Sequence, residues 1–137
     1  MLCISDIRIN NYVLFRNEIV RIREIIKDVS GDYILNFNNC TKSRMEHISP
    51  VKITEEWLHR LDFRETYRSE KIIRYERPEK FLKYDIDLCP DKSMEGLMVF
   101  GNHIGCTEVH QLQNIYQSLF GKEILHPEDY EIQKIIA

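Results

Sequence analysis

The sequence predicts an α+β fold held in a single domain over residues 1–137. Its expected order is a small antiparallel sheet or SH3-like half-barrel at the N-terminus, a short helix, a second antiparallel section, and a C-terminal helix packed across that section. Three observations predict it. The first third sets β-branched and aromatic residues between closely spaced turn signals, the mark of short antiparallel strands. Residues 53–63 and 108–120 switch to apolar spacings of three and four, the mark of helices with one dry face. Only 5 Gly and 4 Pro are present, so no Gly/Pro-rich linker divides the chain.

The elements follow in order. "NYVLFR" (11–16) is rich in β-formers, and Asn17-Glu18 reads as a tight connection to "EIVRIREII" (18–26). There, alternation puts Val20, Ile22 and Ile26 on one side and Arg21 and Arg23 on the other. "VSGD" (29–32) is a turn in which Gly31 supplies a permissive backbone, "YILNF" (33–37) a third strand, and "NNCTK" another turn. Pro50 interrupts "RMEHISPVKI" (44–53) and makes it an edge or irregular strand, because proline offers no N–H to a ladder. In "ITEEWLHRLDF" (53–63), Thr54 is an N-cap whose hydroxyl can accept from a first-turn N–H. Glu55 and Glu56 suit the positive end of the helix dipole. Trp57, Leu58 and Leu61 form its apolar face, and Ile53 with Leu58 has the spacing of a hydrophobic staple.

The chain then returns to strands at "KIIRYER" (71–77) and "KFLKYDIDL" (80–88), with Pro78-Glu79 as the hairpin turn, and at "GLMVFGN" (96–102). Phe81, Tyr84, Ile86 and Leu88 are the expected core or cross-strand contacts. The last strong pattern is a helix over 108–120 that Gly121 closes in a left-handed cap. Val109, Leu112, Ile115, Tyr116 and Leu119 make its apolar stripe. A final helix after Pro127, docked by Tyr130, Ile132, Ile135 and Ile136, is the expectation for the tail.

Composition excludes several classes. The formal net charge is −3, so nothing pulls the whole molecule toward nucleic acid or an anionic membrane. No apolar run approaches the roughly 20 residues of a membrane span, and the first residues lack the basic start and apolar centre of a signal peptide. A cytoplasmic protein with reduced cysteines is expected, since a chain of this size needs no disulfide staples. The charge is uneven: residues 1–83 carry 16 Lys and Arg against 13 Asp and Glu, and residues 84–137 carry 3 against 9. A solvated surface is the favoured explanation, with head-to-tail association or a polar partner the alternative.

Two phrases carry a resemblance. "PVKITEEWLHRLDF" (50–63) is similar to a recurrent "P-I-x-L-T-E-E-W-L-x-x-F-G-F", and "EVHQLQNIYQSLFGKEI" (108–124) to "Y-V-H-Q-L-Q-N-L-Y-F-A-L-T-G-x-E-L". Together, in this order, they resemble a family of small uncharacterised proteins of Bacteroidetes genomes and their phages and mobile elements. Leu61-Asp62-Phe63 departs from Phe-Gly-Phe, and Ser118-Leu119-Phe120 from Ala-Leu-Thr. The resemblance implies a small α+β protein associated with a phage or mobile element. It brings no activity and no functional residues.

The residues themselves offer five candidates. His103, Cys106 and His110 have soft ligands at H-x2-C-x3-H spacing, but a closed zinc site needs a fourth ligand, such as Cys89 or Asp85. Cys106 and His110, with Asn102 or Asn114 to orient them, have the residue types of a thiolate nucleophile; any chain with 4 Cys and 5 His offers such pairs by chance. Asp85 and Asp87 share one side of a strand, and such a pair belongs more often to a solvent face than to acid–base chemistry. Arg60, Arg64, Arg68, Lys71, Arg74, Arg77, Lys80 and Lys83, interleaved with Tyr67, Tyr75 and Tyr84, could track and stack a nucleic acid, but Asp62, Glu65, Glu70, Glu76 and Glu79 cancel much of that field. "FGNHIG" is neither a phosphate loop nor a dinucleotide fingerprint.

The fifth candidate is the polar face of the last helix: His110, Gln111, Gln113, Asn114 and Gln117. Amides in place of Lys or Glu suit hydrogen bonding. A tie to the chain's own sheet is favoured, and a partner surface comes second. The functional expectation is a non-enzymatic interaction module that binds a protein partner or itself, with a nucleic-acid accessory role through residues 60–84 as the alternative. No cofactor, metal, membrane or small-molecule substrate is expected.

Overall fold

The computed structural model describes residues 2–79 and 81–129. Two compact units emerge. One comprises the residues up to Lys52 together with Glu108–Ile124, and the other comprises Ile53–Thr107 and the described residues after Ile124. Each is built on its own five-stranded antiparallel sheet, and the α+β class holds for both.

In the first unit the strands are β1 (Tyr12–Phe15), β2 (Glu18–Lys27), β3 (Tyr33–Phe37), β4 (Lys42–Arg44) and β5 (Ile48–Pro50), in the order β4-β3-β2-β1-β5. β2 is long enough to serve two neighbours: its first half pairs with β1 and its second half with β3. The register shifts between Ile22 and Glu24, which places a bulge at Arg23. A bulge adds one unpaired residue and reverses the in–out alternation beyond it. Val20 and Ile22 are therefore buried as expected, but Ile26 points outward and Ile25, opposite the buried Leu35, packs against the core in its place. That core includes Leu2, Ile7, Val13, Phe15, Phe37 and Ile48.

The β1–β2 connection is Arg16-Asn17, one residue earlier than expected, because Phe15 still pairs with Glu18. Both turn residues have positive φ, 53° and 63°. This is the mark of the type I′ hairpin turn, whose twist matches that of its strands. Gly31 takes the left-handed conformation (φ 92°) expected at the β2–β3 turn, where Asp28 Oδ1 accepts from the backbone N–H groups of Ser30 and Asp32. These bonds, with that from the Ser30 hydroxyl, hold the Asp28 carboxyl below its ordinary pKa. A 3-10 turn at Met45–His47 leads into β5, where Pro50 sits at the sheet edge.

The long helix, α2 (Val109–Phe120), belongs to this first unit and packs beside β1. The expectation that it lies across the second antiparallel section is thus corrected: a chain segment far along the sequence returns to the first sheet, and helical spacing cannot reveal which sheet a helix covers. Gly121 closes α2 with φ 68°, and its N–H bonds the Gln117 carbonyl. The buried stripe is Val109, Leu112, Gln113 and Tyr116, rotated from the expected one; Leu119 is exposed.

The second unit holds α1 (Glu55–Arg60), whose Thr54 hydroxyl accepts from the Trp57 N–H at 3.3 Å, and buries Trp57, Leu58 and Leu61. Asp62 follows with φ 66°. Its strands are β6 (Arg64–Arg68), β7 (Ile72–Glu76), β8 (Leu82–Asp87), β9 (Gly96–Val99) and β10 (Asn102–Ile104), in the order β10-β9-β8-β7-β6. β6 lies outside the expected strands, and β10 shares only Asn102 with the expected strand over 96–102, which a turn at Phe100-Gly101 divides. Phe81 and Leu88 are exposed, whereas Leu82 and Tyr84 are buried, so the expected core of this sheet moves by one position at its first residue. Gly96 sits so close to β10 that a β-carbon there would lie 2.5 Å from the Ile104 carbonyl oxygen.

Among the described residues, which include all four cysteines, no disulfide forms. No helix among them is long and apolar enough to cross a membrane. Tyr130, Ile132, Ile135 and Ile136, on which the expected last helix depends, lie outside the described residues.

Candidate functional site

The amide face of α2 is a lock on the first unit. Residues 7–11 lead into β1 as irregular backbone; Ile22 of β2 bonds the Asn10 N–H and the Asn11 carbonyl, and other polar groups here need further partners. Gln113 supplies them. Its Oε1 accepts from the Tyr12 N–H at 2.9 Å, and its Nε2 donates to the Asn10 carbonyl at 2.8 Å and the Ile124 carbonyl at 3.3 Å. The side chain thus copies a neighbouring strand, and it is 0% exposed. Asn114 accepts from Asn11 Nδ2 at 2.8 Å and donates to the Asp6 carbonyl at 3.0 Å. Gln117 accepts from the Arg8 guanidinium at 2.8 Å. Gln111 turns back to accept from the Glu108 N–H at 3.2 Å and closes the helix start. His110 is buried too, and among the described residues its Nδ1 has no hydrogen-bond partner. Burial lowers its pKa, against the opposing pull of Glu108 and Asp6. Within the set Gln113 and His110 are buried, and the half-buried amides of the other three bond groups of the chain itself. The sequence did carry a signal for Gln113: it stands four residues after Val109 and three before Tyr116, inside the apolar stripe.

Asp85 and Asp87 are not on a solvent face; they are 3% and 1% exposed. A two-pronged salt bridge joins Asp85 to Arg74, at 2.8 and 2.9 Å. Asp87 accepts from the Met94 and Cys89 N–H groups, both at 2.8 Å, which hold its carboxyl below the usual range. The same carboxylate raises the Cys89 thiol, which opposes thiolate formation there. Of the soft-ligand trio, His103 and Cys106 belong to the second unit and His110 to the first. His103 is exposed beside the Glu95 carbonyl, and Cys106 is buried with its carbonyl bonded by the Tyr84 hydroxyl at 2.6 Å. Asn114, the nucleophile's suggested orienter, is engaged with Asn11 and Asp6. Among the described residues no three of His, Cys, Asp and Glu converge as metal ligands.

The cations of residues 60–83 have carboxylate partners in most places: Arg60 with Glu56, Arg64 with Asp62, Arg68 with Glu55 and Glu65, Arg77 with Glu79, Lys83 with Glu76. Tyr75 and Tyr84 are buried, with hydroxyls turned to Glu55 and the Cys106 carbonyl. Burial raises both phenols, Tyr75 to about 12. Of the three tyrosines, Tyr67 alone is exposed.

The site that sequence reasoning missed lies on the first sheet. A cavity of about 550 Å³ is lined by Phe15, Arg16, Ile34, Lys42, Arg44 and His47, with Ser43 below. The β1–β2 turn supplies Arg16, β4 supplies Lys42 and Arg44, and the 3-10 turn supplies His47. Arg44 pairs across the ladder with Ile34, so both face one side of the sheet. No carboxylate belongs to the lining. Arg44 reaches Asp32 at 3.4 Å and His47 reaches Glu46 at 3.9 Å, both exposed contacts. Among the described residues, Arg16 and Lys42 have no carboxylate at ion-pair distance. No motif marks this set, because it gathers residues from four separate stretches. In comparisons with protein-family models, with curated proteins and with solved structures, no match was found.

Proposed function

We propose that this chain is a non-enzymatic interaction module, associated with a phage or mobile element and acting inside the cell, which binds a protein partner or a second copy. Its binding face is the cationic cavity of the first sheet. One observation carries this reading: among the described residues Arg16 and Lys42 have no carboxylate at ion-pair distance in a concave site, while the cations of the second unit are largely consumed by internal pairs. Charge left unpaired inside a concavity is available to a partner and steers its approach. The neutralised Arg/Tyr segment, with Tyr75 and Tyr84 buried, does not favour the nucleic-acid alternative.

The test is capture of partners from bacterial lysate by the purified chain, with and without nuclease, beside a variant carrying Arg16→Asn and Lys42→Gln. The reading is supported by a protein, or a second copy of the chain, that survives nuclease and is lost with the variant. Recovery of nuclease-sensitive nucleic acid alone would replace it with the nucleic-acid role. Gln111→Ala and Gln113→Ala make poor probes here, because both side chains hold the fold.

A further inference from the structure

Resting on the interaction-module reading, we infer that the cavity receives an extended acidic segment of another polypeptide, laid along the edge of β4. The charge of the lining selects an anion. Three permanent cations, Arg16, Lys42 and Arg44, surround a space that no carboxylate lines. The shape selects an extended chain. β4 is an outer strand of its sheet, so a segment placed beside it can add to the ladder by main-chain hydrogen bonds. Lys42 and Arg44 are two residues apart on that strand and share a face, a repeat of roughly 6.6 Å that matches alternate carboxylates on an extended segment.

Arg16 strengthens the assignment. It holds the first central position of the β1–β2 turn with φ 53°. Asn, Asp and Gly favour that place, and a long side chain resists it. Sequence-local preference therefore does not explain an arginine there. Its guanidinium carbon lies 4.9 Å from the centroid of the Phe15 ring. Stacking on the ring holds the plane of the group while its N–H edges stay open to a carboxylate.

The aromatic content argues against a nucleic acid. Single-strand binding relies on exposed rings on which bases stack. Phe15 is the only ring of the lining besides the His47 imidazole, and it is 7% exposed, with the Arg16 guanidinium at 4.9 Å and the ring of Phe37 at 5.3 Å.

The experiment titrates the full chain into a fluorescein-labelled decapeptide of alternating Glu and Ser, into labelled decathymidylate, and into inorganic phosphate as competitor, and reads anisotropy. The acidic peptide is expected to bind, with the oligonucleotide weaker. Arg16→Asn is expected to weaken peptide binding about tenfold while the melting temperature stays level or rises, since Asn suits the turn. Lys42→Gln should weaken binding in the same way. Arg64→Gln, a change to an exposed cation of the second sheet, should leave it unaltered. Peptide binding that is absent, or equal in wild type, Arg16→Asn and Lys42→Gln, overturns the inference; so does tighter binding of decathymidylate or displacement by phosphate alone. A lysate partner that is lost with the Arg16→Asn, Lys42→Gln variant while the acidic peptide fails to bind would sink this inference yet leave the module reading standing. Absence of any partner would sink the module reading itself.

Discussion

Both sheets bury polar side chains, and they do so by opposite means. The first unit buries the neutral amides of Asn11 and Gln113, matched to backbone and side-chain partners, and one cation, Arg21, whose guanidinium donates to Asn10 Oδ1. The second buries ions: Asp85 and Asp87 lie within the sheet, one answered by Arg74 and the other by two backbone N–H groups. A buried amide needs only its hydrogen bonds, whereas a buried carboxylate also needs compensation for its charge. The second unit therefore draws cations inward and ties most of its surface cations to neighbouring acids. The first unit, whose described buried residues include no carboxylate, keeps Arg16 and Lys42 unspent. The comparison teaches where a binding face can lie: not where arginines are densest in the sequence, but where the fold leaves them unanswered.

The largest effect should come from breaking the ionic solution. Arg74→Met leaves the Asp85 carboxylate buried and alone, at a cost of about 3 kcal/mol or more in unfolding free energy. Arg74→Met with Asp85→Leu removes the pair together and should recover most of that loss, because two apolar side chains need no compensation. Urea denaturation of the three proteins measures this. A double variant as unstable as the single one would show that Asp85 serves something other than its partner.

Breaking the neutral solution comes next. Gln113→Leu preserves volume but removes the hydrogen bonds to the buried Tyr12 N–H and the half-buried Asn10 carbonyl, at a cost of about 2 kcal/mol. Asn114→Ala, on the half-buried side of the same helix, should cost about half as much, since water can reach its partners. The same denaturation experiment decides. Equal losses would mean that the depth of the amide does not set its worth, and the contrast between the units would weaken.

Much of this architecture is legible in the chain. The Thr54 cap, the Gly121 stop, the Gly31 turn and the edge position of Pro50 follow from local chemistry that tertiary context does not alter. What escapes reading has identifiable causes. The bulge at Arg23 exchanges Ile26 for Ile25, and no residue there announces an extra position. β6 is exposed along its whole length, so "RETYR" shows no alternation to detect. Gln113 stands at a core position but is polar, and polarity outweighs spacing when a helix is read by its apolar residues. Asp85 and Asp87 mislead for the same reason: an acidic residue reads as solvated until its partner is known, and Arg74 pairs with Asp85 across the ladder, 11 residues away. The cationic cavity is the extreme case, since its parts meet only after the first sheet has formed.

The smallest effect sharpens the comparison at its neutral end. His110 is buried beside the amide lock, and burial disfavours its protonated form, so its pKa in the folded chain lies below the ordinary 6.5. The unfolded chain then takes up a proton at a pH where the folded chain still refuses it. Stability contributed by this group is complete above about pH 6.5 and declines as the pH falls from there toward the lowered value. Glu108 and Asp6 pull the other way and keep the decline shallow. The carboxylates whose pKa values are depressed, Asp28, Glu65 and Asp87, act below about pH 4 and stay outside this window. Denaturation midpoints at pH 7.5 and 5.5 should therefore differ in the wild type and converge in His110→Phe, which keeps a ring but carries no proton to exchange. A variant with the wild-type slope would place the acid sensitivity elsewhere.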